Sequence, residues 1–287
     1  MVKVYRRFIP VIILAMVIVT VLAYAVWADV LQVKMTAAGE TTINWTNGTV
    51  VTTGFGASMK KPGRPIAVLK PLARRAAIVD AQRNLLEMIK GVYVKSDTMM
   101  RDFMIEHDIV ETKVSGIIKG ATLIPGSEKF TEEKDGSIGC KLQMKISFGE
   151  VASVVYEEVK EEFVAVVTKV PVVEYTGLIV DARGFNYNPS VIFRIYDEDM
   201  NIVYGISTVD FDTCARERLG LYVDSLTLSK TIIEARVGTN PLWVKAVKMA
   251  EPNHIDFIIS HEDAQKVLAI SKGPLYRCKV VLLVDRR

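Results

Sequence analysis

Histidine and cysteine are scarce, with three of each in 287 residues. No Cys-x-x-Cys pair or Cys/His cluster brings them together, so a His/Cys metal centre is not expected. Cys140, Cys214 and Cys278 are odd in number and cannot all pair internally. Cys140 and Cys278 sit in the strand-like stretches "IGCKLQMKISF" and "YRCKVVLLVD" and read as small buried hydrophobes, with one intramolecular disulfide as the alternative. Catalytic signatures are missing as well. There is no GxSxG, HExxH, GxxxxGK[ST] or GxGxxG. The sequence points to no catalytic, cofactor-binding or metal residues, and the expectation is a protein that is not an enzyme and has no cofactor. Net charge is also small, +3, and Lys3, Arg6 and Arg7 account for all of it. From Asp29 onward 33 basic residues face 33 acidic ones. Such a body has no global attraction for a polyanion, so no nucleic-acid partner is expected.

What is present begins with a long apolar run. After the basic "MVKVYRR" come 21 uncharged residues, Phe8 to Ala28. As a helix they would span about 30 Å, enough to cross a bilayer. Val26 and Ala28 are small enough for the −3 and −1 positions of a peptidase site. Two readings therefore stay open for 1–28, a signal peptide cut after Ala28 or an uncleaved membrane anchor through Phe8–Ala28. Both export the rest, to the periplasm or the periplasmic face of the inner membrane. No cysteine stands near the run's end, so lipid modification there is excluded.

The remaining pattern reads as an α+β fold, two small α+β domains with mostly antiparallel sheets. Residues 29–49 are a linker or extended strand. "TVVTTGFG" reads as a strand closed by glycines. "PIAVLKPLARRAAIVDAQRNLLEMIKG" places Leu69, Ala73, Ala76, Ala77, Ala81, Leu85 and Met88 at helical spacing, with Pro71 in the first turn and Gly91 at the end. "VYV" suggests a strand and "SDTMMRDFMIEHD" a helix capped by Ser96 or Asp97. "IVETKVSGIIKGATLI" reads as a strand that pairs in a hairpin with the alternating "SIGCKLQMKISFG". This closes the first domain, 50–150. A connector, 151–170, leads to a second domain, 171–287. There "DEDMN" marks a hairpin turn, "SLTLSKTIIEAR" a helix, Ser260 with Asp263 a helix start, and "YRCKVVLLVD" a central strand.

Several polar groupings invite chemical readings. Asp80 and Asn84, four apart, could place a carboxylate in a pocket or bond neighbouring backbone. "YDEDMN" echoes a calcium loop, but Ile202 stands where glycine is needed and Thr208 where the closing glutamate is needed, so a solvated turn is favoured. His254 with Asp256, and His261 with Asp263, could each be half of a proton relay, but no serine elbow accompanies them. Trp45, Phe185, Tyr187 and Trp243 could line a site for a ligand or glycan, although Trp243 in "PLWVKAV" reads better as core.

The segment "ARRAAIVDAQRNLLEMIKGVYVKSDTMMRDFM", followed by "VSGIIKGA", resembles the LPP20 family of bacterial envelope proteins. That family is related to flagellum-associated lipoproteins and to the N-terminal domain of the flagellar assembly protein T. The residues that carry the likeness are Arg75, Ala76, Ala77, Asp80, Ala81, Arg83, Asn84, Leu85, Gly91, Val92, Val94, Gly116, Ile118, Gly120 and Ala121. The resemblance covers about 50–150. It implies an exported, non-enzymatic envelope protein with a structural or assembly role, one linked in some relatives to flagellar or other surface machinery. The partners it implies are further copies of the chain or other envelope proteins. This chain departs from many relatives in lacking a lipid-acceptor cysteine and in carrying a second domain.

Overall fold

The computed structural model describes residues 30–36, 39–63, 65–163, 174–226 and 230–286. In its first half, β1 (Leu31–Thr36), β2 (Gly39–Asn44) and β3 (Thr49–Ser58) form an antiparallel meander. The long helix α1 (Ile66–Lys90) follows. Next come a small hairpin of β4 (Tyr93–Lys95) and β5 (Thr98–Met99), then α2 (Met100–Glu106) and α3 (Asp108–Lys119). β6 (Thr122–Leu123), β7 (Lys129–Glu132) and β8 (Ile138–Ser147) complete an antiparallel sheet of order β1-β2-β3-β8-β6, with β7 also on β8. The helix α4 (Phe148–Glu158) closes this half.

The helix α1 lies across β3 and β8 at close range, and small residues on both sides make that approach possible. Leu69, Ala73, Ala77 and Ala81 are fully buried on its inner face, against Ile138, Cys140, Leu142 and Met144 of β8. On β3, a Cβ built on Gly54 would run into the carbonyl oxygen of Ala77, and one on Gly56 into the Ala77 amide nitrogen. The "GFG" glycines are therefore not a strand end. They lie inside β3, which continues to Ser58, at the point where helix backbone meets strand backbone. Pro65 precedes the helix and Pro71 falls past its first turn. The helix begins earlier than its apolar stripe indicates.

Two local expectations are corrected. The stretch read as a strand over 110–124 is the helix α3 followed by the two-residue β6. Val110, Val114 and Ile118 are buried at four-residue spacing, a helical period that outweighs their β-branched character. The hairpin expected between that run and β8 is thus reduced to β6, with β7 supplying the longer partner. The helix expected from Ser96 or Asp97 starts at Met100, and neither residue caps it. Asp97 instead accepts from the Thr98 hydroxyl at 2.9 Å.

The second half contains β9 (Gly177–Asp181), β10 (Ile195–Tyr196), β11 (Ile202–Tyr204), α5 (Phe211–Glu217), β12 (Leu221–Val223) and α6 (Lys230–Val237). It ends with β13 (Pro241–Met249), β14 (Phe257–Ile259), α7 (His261–Ala269) and β15 (Val280–Leu283). The sheet order is β11-β10-β14-β13-β9-β15-β12. β9 pairs in parallel with β13 and β15, β15 with β12, and β10 with β14. Only β10/β11 and β13/β14 are antiparallel in this sheet. The expectation of mostly antiparallel sheets is therefore corrected for the second half. Leu178, Val180 and Leu282 face the main core, while Ile179, Val281 and Leu283 pack against Ile233 and Val237 of α6. Strands covered on both faces suit parallel pairing.

The expectation of an N-terminal membrane or signal helix is not retained in the fold class. Among the described residues no helix is long and apolar enough to cross a membrane. The run Phe8–Ala28, on which that expectation rested, lies outside the described residues.

The two halves share one continuous hydrophobic core. Trp45, from the β2–β3 turn, packs edge-on against Phe148 at 4.7 Å and Tyr222 at 5.7 Å between ring centroids. The Tyr156 hydroxyl of α4 donates to the Val191 carbonyl (3.0 Å) and accepts from the Leu219 amide (3.2 Å). The amides of Val191 and Ile192 donate to the carbonyls of Tyr93 and Val94. The boundary expected at 171 falls in 164–173, outside the described residues.

Candidate functional site

Of the residues of the family-like motif, Ala77 is spent on packing and Asp80 and Asn84 on one sheet edge. Ala77 is buried under the glycines of β3. Register pairing of β2 with β3 stops at Thr41 and Thr52, and among the described residues no strand continues it along the next residues of β3 on that side. Asp80 and Asn84 fill the gap. The Asp80 carboxylate accepts from the Phe55 amide at 2.9 Å, and the Asn84 amide donates to the Thr53 carbonyl at 3.0 Å. A contact of 3.4 Å joins the two side chains. Arg75 and Arg83 are exposed on the outer side of α1, beside Phe55, Leu72 and Val79. Gly91 caps α1, its amide bonded to the Met88 carbonyl at 3.1 Å. Gly120 caps α3 through the Gly116 carbonyl at 3.0 Å. Gly116 sits within α3, and a Cβ there would meet nothing.

Of the other polar groupings, the "DEDMN" turn and His261 come together, the His261 amide donating to Glu198 at 3.0 Å, and the rest stay apart. Asp197 accepts from the amides of Asp199 (3.0 Å) and Asn201 (2.8 Å), which closes the turn between β10 and β11. His261 lies near this turn, 3.6 Å from Asp199. Ser260 caps α7 by accepting from the Asp263 amide at 3.2 Å. Asp256 is buried and accepts from the Arg194 amide at 2.7 Å, while His254 turns to Glu251 at 3.6 Å. Burial raises the Asp256 carboxyl above the ordinary carboxylate range. Among the described residues no group of three or more His, Cys, Asp or Glu is placed to hold a metal ion.

The aromatic set does not converge either. Trp45 is buried between Phe148 and Tyr222, and Tyr187 stacks on Tyr222. Phe185 packs on the edge of the core. Trp243 is 48% exposed, which corrects its expected place in the core. On β13 Leu242, Val244 and Ala246 are buried, as is Met249 at its end, and the intervening Trp243 and Lys245 point the other way.

A cluster of arginines lies between the two halves, in a cleft of about 540 Å³. Its walls are the turn Thr46-Asn47-Gly48, the start of α4 at Ser147 and Gly149, the end of α5 at Arg216, Glu217 and Arg218, and α6 at Thr231 and Arg236. Arg218 donates to the carbonyls of Trp45 (2.7 Å) and Thr46 (3.1 Å) across the junction. Its backbone, at φ 65° and ψ 161°, is unusual for a residue other than glycine and costs roughly 1–3 kcal/mol. Arg236 donates to the carbonyls of Glu217 and Arg218, both at 2.6 Å, and so satisfies the open end of α5. Burial pushes the Arg218 guanidinium down to about 10, and the neighbouring Arg236 charge acts in the same direction. Sequence reasoning missed this group. Its members come from four separate segments, and no local spacing joins them.

A family model described as Treponema pallidum Tp0624, second domain, matches residues 177–286. The match starts with β9 and runs past β15, so it spans the whole of the second sheet. No curated protein matches the chain.

Proposed function

We propose that this protein is an exported, non-enzymatic envelope protein with a structural or assembly role, acting through self-association or through other envelope proteins. The observation that carries this reading is the employment of its polar side chains. Asp80 and Asn84 bond the backbone of β3, Asp197 closes a turn, Ser260 caps α7, and Asp256 holds the Arg194 amide. Among the described residues, nucleophile, base and acid do not meet. The resemblance of about 50–150 to the LPP20 family supports an envelope location. The likeness of 177–286 to a Tp0624 domain adds a second module of a bacterial protein. Exposed apolar residues on the outer side of α1 and β3 favour association: Val68, Leu72, Val79 and Phe55 are each 40–52% exposed.

Light scattering on the purified full chain over a concentration series tests this reading, together with a variant that replaces His107, His254 and His261. The expected result is concentration-dependent or partner-dependent assembly that the triple replacement leaves intact. A strictly monomeric protein that captures no envelope protein, or a cellular function abolished by the histidine replacements in a folded variant, would overturn it.

A further inference from the structure

The cleft between the halves holds more positive charge than its own residues neutralise. Arg218 spends its hydrogen bonds on two neutral carbonyls. The Arg236 side chain is only 6% exposed, and among the described residues its carboxylate contact is Glu217 at 3.3 Å, a side chain 59% exposed. The Nε of Arg236 is buried without a hydrogen-bond partner. Arg216 adds a third guanidinium on the same wall. Arg218 and Arg236, both shielded from water, and the exposed Arg216 thus face one loosely held carboxylate, and for the two shielded groups unpaired charge is costly.

A second, independent feature has the same sign. The eleven-residue helix α4 begins at this cleft, with Ser147 and Gly149 in its lining. A helix N-terminus carries partial positive charge and offers amide donors. The Ser147 hydroxyl is taken by the Glu150 amide, and the Phe148 amide by the Gly48 carbonyl.

We propose that this cleft binds an oxyanion group, phosphate or carboxylate, carried by a larger molecule. Arg216 and the exposed edge of Arg218 face the group, with the Gly149 end of α4 and the Thr231 hydroxyl beside it. Glu217 turns to solvent as the anion enters. The volume, about 540 Å³, is that of roughly 18 waters at about 30 Å³ each. That is more space than a bare ion needs, and it lies within the range of small-molecule sites, roughly 300–1,000 Å³. The inference goes beyond the scaffold reading and does not depend on it.

The test is thermal unfolding of the full chain at constant pH in phosphate, citrate and chloride, at matched ionic strength. The expected result is a saturable rise in Tm in phosphate, citrate or both over chloride. A response to phosphate alone assigns a phosphate source, and one to citrate alone a carboxylate source. Arg216→Glu separates site binding from the general stabilisation that excluded salts give, and it should weaken the response at least tenfold. Arg216→Gln and Thr231→Val provide second variants should the charge reversal disturb folding. Equal Tm in all three salts, or an undiminished response in every folded variant, would overturn the proposal.

Discussion

A methyl group at Gly56 should separate the alanine-rich helix from its sheet. The added Cβ would meet the Ala77 amide nitrogen and the Ala73 carbonyl oxygen, both backbone atoms of α1. No rotamer change can relieve a clash between two backbones, so the helix must lift or β3 must bend. Either movement loosens Leu69, Ala73, Ala77 and Ala81 from Ile138, Cys140 and Leu142. Overpacking costs about 1–3 kcal/mol where side chains can adjust, and this site belongs at the upper end, about 3 kcal/mol. Alanine's better fit to a strand offsets less than about 1 kcal/mol. For a chain of this size, the net loss lowers Tm by about 5–10 °C. Gly116→Ala is the matched control. It lies within a helix, and its new Cβ meets nothing. There alanine should stabilise by about 0.5–1 kcal/mol. Urea unfolding of the three proteins measures both effects. A Gly56→Ala protein as stable as the wild type would refute the close-approach argument. An equal loss in Gly116→Ala would mean that glycine is needed for something other than space.

Two further predictions use buried polar groups. The folded-state pKa of Asp256 is raised by burial, so its ionisation favours the unfolded chain. The cost is absent below the ordinary aspartate range and grows as pH rises through the raised folded value. Asp256→Asn should therefore gain stability relative to wild type between pH 4 and pH 7, as read by denaturant midpoints at each pH; a gap that stays constant with pH would refute this. Tyr156→Phe should destabilise by about 1–3 kcal/mol, because the buried Val191 carbonyl and Leu219 amide both lose their hydroxyl partner. Since that hydroxyl joins the two halves, unfolding of the variant followed separately by probes in each half should remain one transition. Two separated transitions would show that the shared core does not couple them.

The elements that could be read from the sequence were those whose local pattern and tertiary setting agree. The stripe of α1 and the alternation of β8 both face the same core. Ser260 caps α7 where its spacing to Asp263 says it should. The misreadings came where two local signals conflict. In α3, valine and isoleucine content favours a strand, while the spacing of Val110, Val114 and Ile118 favours a helix, and burial settled it for the helix. The parallel pairing of the second sheet did leave a trace. "GLIV" and "VVLL" are unbroken apolar runs, which fit strands covered on both faces better than strands with one wet face. For α5 and β12, seven and three residues long, there was too little length for a period. The arginine cleft has no sequence signature at all, because residues 46–48, 147–149, 216–218 and 231–236 meet only after the halves pack.

That packing explains why an arginine can occupy a costly backbone conformation. Arg218 ends α5, and its chain direction there is set by two constraints. Its carbonyl is held by Arg236, and the next amide by the Tyr156 hydroxyl. Its side chain then reaches the carbonyls of Trp45 and Thr46 in the first half. Glycine would tolerate the dihedrals but would leave those two carbonyls without their donors. The adjacent Thr46 hydroxyl donates to the Tyr222 carbonyl, so the same turn is bound twice to the second half. Residue 218 therefore serves two purposes, as a clamp between the halves and as a cationic wall of the cleft. An anion bound beside it would add countercharge where the two halves are joined, and so would stabilise their junction together with the site.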